Sequence, residues 1–261
     1  MPDRVLFGFH AVTVRLKTAP TSVLEVHVDP MRRDQRMRQL VARAASAGVR
    51  VVESDAARLR ALARSDAHQG VVARVAALPA RHSLDEILEH AEAAGAAPLV
   101  LVLDGVTDPH NLGACLRVAD AAGVHAVVAP KDHAVGINAT VAKVASGAAE
   151  TVPYLMVTNL ARTLVELKER EIRVIGTTGT AARSLYEIDL RGPVAIVLGA
   201  EGHGMRQLTA RTCDELVHLP MKGAVESLNV SVASGVCLYE ALRQRSAAAS
   251  ALADAGTAEP G

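Results

Sequence analysis

The chain has 261 residues, half of them apolar and 21% charged, which suits one large or two small soluble globular domains. Lys plus Arg equal Asp plus Glu at 28 each, and aromatics make up only 2% with no Trp, which disfavours a single-strand binder that stacks bases on an aromatic sheet face. The neutral total hides an asymmetry, because residues 1–75 carry 13 basic against 7 acidic side chains and residues 76–261 carry 15 against 21. A basic module joined to an acidic one suggests that the first touches something anionic.

Taken in chain order, residues 5–16 hold an apolar stretch and a short helix around His10 to Leu16. A strand is expected over 23–28 and a helix over 33–47, where Met37, Leu40, Val41 and Ala44 recur at helical spacing. Gly48 ends that helix; a short strand over 49–52 follows, then a helix capped by Asp55 and a strand over 71–75. Ser83 with Glu86 three residues on is a capping-box pattern that opens a helix over 83–94. Beyond Pro98, strands are expected over 99–103, 126–129, 172–176, 194–198 and 216–219. Helices are expected over 111–122, 138–146, 158–169 (capped by Thr158 or Asn159) and 230–243. Continuous apolar strands alternating with amphipathic helices indicate an α/β fold with a mostly parallel sheet covered on both faces. The expected domains are therefore 1–76, a linker over 77–98, a larger domain over 99–245 and a frayed tail over 246–261.

The three cysteines, Cys115, Cys213 and Cys237, form no CxxC, and the ten histidines include no HExxH. A disulfide scaffold and a thiolate zinc site are not expected, and a reducing cytoplasm is the plain inference. No signal peptide is expected, and no apolar run reaches the roughly 18 residues of a membrane span. Asp104 and Asp108 are the one pair of acids that suggests a magnesium ion, and no metal is expected from them.

Ligands of parallel sheets bind beyond the C-terminal ends of the strands, and three polar, Gly-containing segments follow such strands here. The first is DGVTDPHNLGACLR, in which Asn111 is a good helix cap, Gly113 permits a close approach and Arg117 lies one and two-thirds turns later. The second is GAEGHG, which is neither a P-loop nor GxGxxG; its Glu201 reads either as part of a plain Gly-rich connection or as a partner for sugar hydroxyls or an Arg. The third is LPMKGAVESLNVSV, where Ser227 or Asn229 caps the last helix and Leu219 and Leu228 could sandwich a flat ring such as adenine. Arg32, Arg33, Arg36 and Arg38 read either as a phosphate-contact surface or as the solvated face of a helix.

These segments, in this order, resemble the three motifs of the SpoU-like branch of the SPOUT class, the trefoil-knot RNA ribose methyltransferases, over nearly all of residues 98–245. DGVTDPHNLGACLRVADAAGVHAVV, VLGAEGHGM and LPMKGAVESLNVSVASGVCLYEALRQR look like the bacterial subgroup that methylates a guanosine of 23S rRNA. The FGFHAV opening and the small basic domain are similar to that subgroup's RNA-binding domain, which resembles ribosomal protein L30e. The resemblance implies a deep C-terminal knot, a homodimer with active sites near the subunit interface, S-adenosyl-L-methionine as cofactor and RNA as substrate. It implies Asn111, Arg117, Glu201, Ser227 and Asn229 as catalytic residues. It implies a cofactor pocket formed by Leu198, Gly199, Leu219, Met221 and Leu228, with Gly202, Gly204 and Ser227 close by, and RNA contacts from Arg32, Arg33, Arg36 and Arg38. Two positions depart from the family pattern: His133 stands where relatives often have Arg, and His203 where they often have Glu.

Methyl transfer from a sulfonium needs no metal and no covalent intermediate; the obstacle is the weak acidity of a ribose hydroxyl. Arginine's reference pKa of about 12.5 or above favours reading Arg117 as a cation that stabilises a developing alkoxide rather than as the base. The same resemblance leaves a transfer-RNA substrate, or a non-catalytic RNA-binding assembly factor, as alternatives. Missing dinucleotide and triphosphate motifs disfavour a nucleotide-dependent small-molecule enzyme.

Overall fold

The computed structural model describes residues 4–76, 83–200 and 202–256. The chain forms two compact units, residues 1–81 and 82–261.

The first unit is a four-stranded mixed sheet in the order β1-β4-β2-β3, built from β1 (Arg4–Phe7), β2 (Val23–Val28), β3 (Arg50–Glu53) and β4 (Val71–Val75). Only β2 and β3 run parallel; β4 is antiparallel to both β1 and β2. Helices α1 (Phe9–Thr18) and α2 (Gln35–Ser46) bury Phe9, Val12 and Leu16, and Met37, Leu40 and Ala44, in one core with the sheet. Asp34 caps α2 by accepting from Met37 N, and Asp55 caps α3 (Ala56–Ala63) by accepting from Arg58 N. Strand β1 has no counterpart in the sequence reading, because four residues of an edge strand carry too little alternation to register.

The second unit is a seven-stranded, wholly parallel sheet in the order β7-β6-β5-β10-β8-β11-β9. Its strands are β5 (Leu99–Asp104), β6 (Ala126–Pro130), β7 (Tyr154–Val157), β8 (Arg173–Thr177), β9 (Arg183–Ser184), β10 (Val194–Gly199) and β11 (Glu215–His218). Along β5, Leu99, Leu101 and Leu103 face one core while Val100 and Val102 face another, which is why the strand reads as an unbroken apolar run. On the first face lie α5 (Pro109–Ala121), α6 (Ala139–Ala145) and α10 (Val230–Gly256). On the second lie α4 (Leu84–Ala93) and α8 (Leu160–Glu169), through Leu88, Leu160, Leu164 and Leu167. Two short helices, α7 (Ala148–Thr151) and α9 (Gln207–Thr212), complete the unit.

Two boundaries differ from the expectation. The capping box at Ser83 and Glu86 is formed, but α4 packs Leu88 into the core of the second unit rather than serving as linker. Helix α10 runs on past Ser246 to Gly256, because nothing from 246 to 255 breaks an Ala-rich helix. Linker residues 77–82 and tail residues 257–261 lie outside the described residues.

Strand β10 sits beside β5 at the centre of the sheet, and the chain leaves the two in opposite directions: β5 leads to β6 on one side, and β10 leads to β11 beyond β8 on the other. That divergence opens a crevice at the strands' C-terminal ends, the usual ligand position in such sheets.

Candidate active site

The loop after β5 is shaped by two aspartates. Asp108 Oδ1 accepts from Asn111 N at 2.8 Å and caps α5, with Pro109 as the first helical residue. The expectation that Asn111 itself caps the helix is thereby corrected, since Pro109 has no N–H to lose and moves the helix start two residues earlier. Asn111 becomes the third residue of α5, and its side chain is left to reach elsewhere.

It reaches the third segment. Asn229 Nδ2 donates to Asn111 Oδ1 at 2.9 Å across 118 residues of chain. The Asn229 Oδ1 accepts from Ser231 N and Ser231 Oγ at 2.9 and 2.6 Å, capping α10. One side chain thus starts the last helix and ties it to the first motif. Ser227, the other expected cap, is exposed and bonds to no described residue.

The second segment turns back on itself: Ala200 and Gly204 exchange backbone hydrogen bonds at 3.2 and 2.9 Å, with Gly202 and Gly204 at φ 81° and 66°. A Cβ on Gly199 would overlap the backbone of Gly204 and Met205, so only glycine closes this loop. Glu201, expected as the acid of this motif, lies outside the described residues.

The exit of that loop is held by an interaction the sequence reading missed. Asp104, 1% exposed at the end of β5, accepts from Arg206 N at 2.9 Å and Arg206 Nε at 2.7 Å. An acid closing an otherwise apolar strand was the available signal, since a buried carboxylate requires a partner. Asp104 and Asp108 each accept from protein donors.

The residues expected to form the cofactor pocket lie on or next to these loops and differ in exposure. Leu198 is 2% exposed and its side chain belongs to the core shared by α5 and α10. Leu219 packs partly buried against the same core, Met221 and Leu228 are half-buried, and Gly202, Gly204 and Ser227 are exposed. Between Leu219 and Leu228 no backbone group bonds to a described backbone group. At the root of this loop, His218 Nδ1 is buried and bonds to no described atom.

Arg117 stands apart. It is exposed on α5 and makes no hydrogen bond or ion pair to a described residue, the Asn111–Asn229 pair included. Its neighbour Val118 packs by Gly235 of α10, between the turns that expose Val232 (52%) and Tyr239 (51%). Gly113 gives close approach to helix α6 rather than to a ligand, for a Cβ there would lie 2.6 Å from Val144 Cβ.

Burial pushes the Cys115 thiol up to about 11 and the Cys237 thiol up to about 12, so both are protonated near neutrality. Cys115 Sγ meets Ser234 Oγ at 3.2 Å and joins α5 to α10.

Of the four expected RNA-contact arginines, Arg32 is engaged within the protein. It donates to Asp34 Oδ2 and to Gln69 O, both at 2.6 Å, and its guanidinium lies 4.5 Å from the Phe9 ring centroid. Arg33 reaches Pro30 O at 3.5 Å, and Arg36 and Arg38 are exposed on α2. His133 occupies the left-handed region at φ 58°, in the turn after β6, and His203 is exposed.

A protein-family model described as the SpoU rRNA Methylase family matches residues 98–239. The chain belongs to this family. A second model, RNA 2'-O ribose methyltransferase substrate binding, matches residues 5–80. The SpoU chain is 62% identical to the 23S rRNA (guanosine-2'-O-)-methyltransferase RlmB of Ralstonia nicotianae, over 94% of this chain and 97% of that one. It is 59% identical to the protein of the same name from Bordetella pertussis, over 93% and 98%. Among solved structures it matches an RNA 2'-O ribose methyltransferase at 28% identity and TM-score 0.72, covering 93% of this chain and 89% of that one. The SpoU methyltransferase AviRb from Streptomyces viridochromogenes, solved with AdoMet, shares the fold at TM-score 0.75 and 23% identity, covering 94% and 91%.

Proposed function

We propose that the chain transfers a methyl group from S-adenosyl-L-methionine to a ribose 2'-hydroxyl of ribosomal RNA, at a guanosine of 23S rRNA. The reading rests on the Asn111–Asn229 hydrogen bond, which joins the first and third family motifs across 118 residues of chain. The 62% identity to the Ralstonia nicotianae methyltransferase supports the 23S guanosine as target.

The residues present fit the cofactor. The loop over 219–228 offers half-buried Leu219, Met221 and Leu228 beside backbone donors and acceptors with no described backbone partner, which suits the faces and edge of an adenine. The buried His218 Nδ1 at its root is a polar group that a ligand would satisfy. When bound, the cofactor supplies an electrophilic methyl on a cationic sulfur that leaves neutral. The protein's own part is alignment, electrostatics and proton management. Asn111 and Asn229 orient the substrate and the cofactor tail, with Ser227 beside them. Arg117 holds the phosphate next to the target ribose and stabilises the oxygen as its proton leaves.

A homodimer accounts for the position of Arg117. Val232, half-buried Val236 and Tyr239 form an apolar stripe at i, i+4 and i+7 on α10, flanking the point where Val118 packs, and a second copy of this chain is the partner it suits. A trefoil knot is in keeping with the path of the chain: β10 inserts between β5 and β8, and the segment after β11 comes back to meet Asn111 beyond β5. An L30e-like RNA-binding role for the first unit is supported by the substrate-binding model over 5–80.

The test combines calorimetry of cofactor binding with a methyl-transfer assay on rRNA. Arg117→Ala is expected to keep cofactor affinity and lose on the order of 10²–10³ in rate, the usual cost of a lost electrostatic stabiliser. Full activity of that variant, or equal losses of binding and rate, would overturn the assignment. Mapping of 2'-O-methyl positions in rRNA from cells with and without the gene identifies the target, and an unchanged map would end the rRNA reading.

A further inference from the structure

Between α1 and α2 of the first unit runs an open groove of about 380 Å³. Its floor is Phe9 and Leu40, its α1 wall is His10, Thr13 and Lys17, and its α2 wall is Arg36, Gln39 and Arg43. Among the described residues, no acidic side chain lines it. Arg36, Gln39 and Arg43 follow one another at i, i+3 and i+7, so α2 presents them along a single flank, while Thr13 and Lys17 at i and i+4 do the same on α1. Arg38 lies two residues beyond Arg36, about 200° around the helix, on the opposite flank. The run of arginines over 32–38 is therefore split by the fold: Arg32 is engaged with Asp34, Gln69 and Phe9, Arg38 faces away, and only Arg36 enters the groove.

We infer that this groove is where the substrate RNA backbone lies, with Lys17, Arg36 and Arg43 on phosphates and Thr13 and Gln39 on phosphate or 2'-hydroxyl oxygens. The inference rests on the rRNA methylation reading and adds to it the place and the chemistry of RNA capture. Arg36 and Arg43 are separated by about 10 Å along α2, far enough to meet different phosphates. Cations spaced by neutral hydrogen-bonding side chains suit a repeating anionic backbone read by shape, as RNA helices are. The groove walls expose no large apolar side chain, which is what an acidic peptide partner would also need for a stable seat.

The experiment uses the full chain with a 23S rRNA transcript, comparing wild type, Lys17→Glu/Arg36→Glu/Arg43→Glu, the milder Lys17→Gln/Arg36→Gln/Arg43→Gln, and Arg33→Glu/Arg38→Glu as a control off the groove. Affinity is measured across salt concentrations, with cofactor binding by calorimetry and circular dichroism as the check on folding. The groove variants are expected to lose roughly ten- to hundredfold in RNA affinity and to flatten the log–log salt slope by about 2, at ~0.7 per phosphate contact, with cofactor affinity unchanged. The rate at saturating RNA should stay near wild type while KM rises. If both groove variants bind RNA as wild type does, or if Arg33→Glu/Arg38→Glu carries the loss instead, the groove assignment is overturned while rRNA methylation stands. A wild-type chain that neither binds nor methylates the transcript overturns both.

Discussion

Asp104 shows how one buried acid serves a neighbouring loop. Its carboxylate is closed off at the end of β5, and its two bonds to Arg206 fix the point where the chain leaves the Gly199–Gly204 turn. Arg206 is itself 49% exposed, so the pair gains less from charge attraction than its burial on one side suggests. The larger cost of breaking it is the stranded backbone N–H of Arg206. Asp104→Ala is expected to lower unfolding stability by about 2–4 kcal/mol and to weaken cofactor binding, while Asp104→Asn keeps an acceptor for the N–H and loses less. Urea unfolding beside calorimetry measures both. A stable Asp104→Ala with intact cofactor affinity would show that the turn holds itself.

At the level of elements, the packing of α5 against α6 depends on the missing side chain of Gly113. A methyl there would sit 2.6 Å from Val144 Cβ and 3.0 Å from Val141 O. Helix propensity favours alanine over glycine by about 1 kcal/mol, and overpacking costs about 1–3. Gly113→Ala is therefore expected to destabilise by up to about 2 kcal/mol, and adding Val144→Ala should restore much of the loss in the same urea titration. Most long elements were legible from periodicity and caps, as with β2, α3 and α4, whose caps at Asp55 and Ser83 are as expected. Strand β7 and helix α9 were not, because four half-buried residues and six helical ones give no clear period. The candidate site was legible as three loops at strand ends, yet the contact that joins the first to the third was not. Nothing local distinguishes Asn229 bonding to Asn111 from Asn229 simply capping α10, since it does both. The arginine run is ambiguous for a related reason: neighbours in sequence diverge by 100° per residue on a helix, so Arg36 and Arg38 end on opposite flanks.

For the whole molecule, the proposed dimer makes a sharp prediction. If α10 pairs through Val232, Val236 and Tyr239, then Val232→Glu/Tyr239→Glu should yield monomers by sedimentation, with methyl transfer falling at least tenfold and far-UV circular dichroism unchanged. A variant that remains dimeric would place the subunit contact elsewhere. The charge asymmetry belongs to this scale as well: the basic surplus sits in the unit matched by the substrate-binding model, and the acidic surplus in the unit that carries the methylase motifs.

The placement of β10 governs how such a chain can be made. During synthesis, β5 and β8 emerge before the strand that must lie between them, so a ribosome that has not yet reached Val194 carries two sheet fragments with unsatisfied edges facing each other. Nascent chains stalled in that interval are the ones expected to recruit chaperones or cross-pair with their neighbours, and a premature stop there removes the central strand of the sheet together with everything after it.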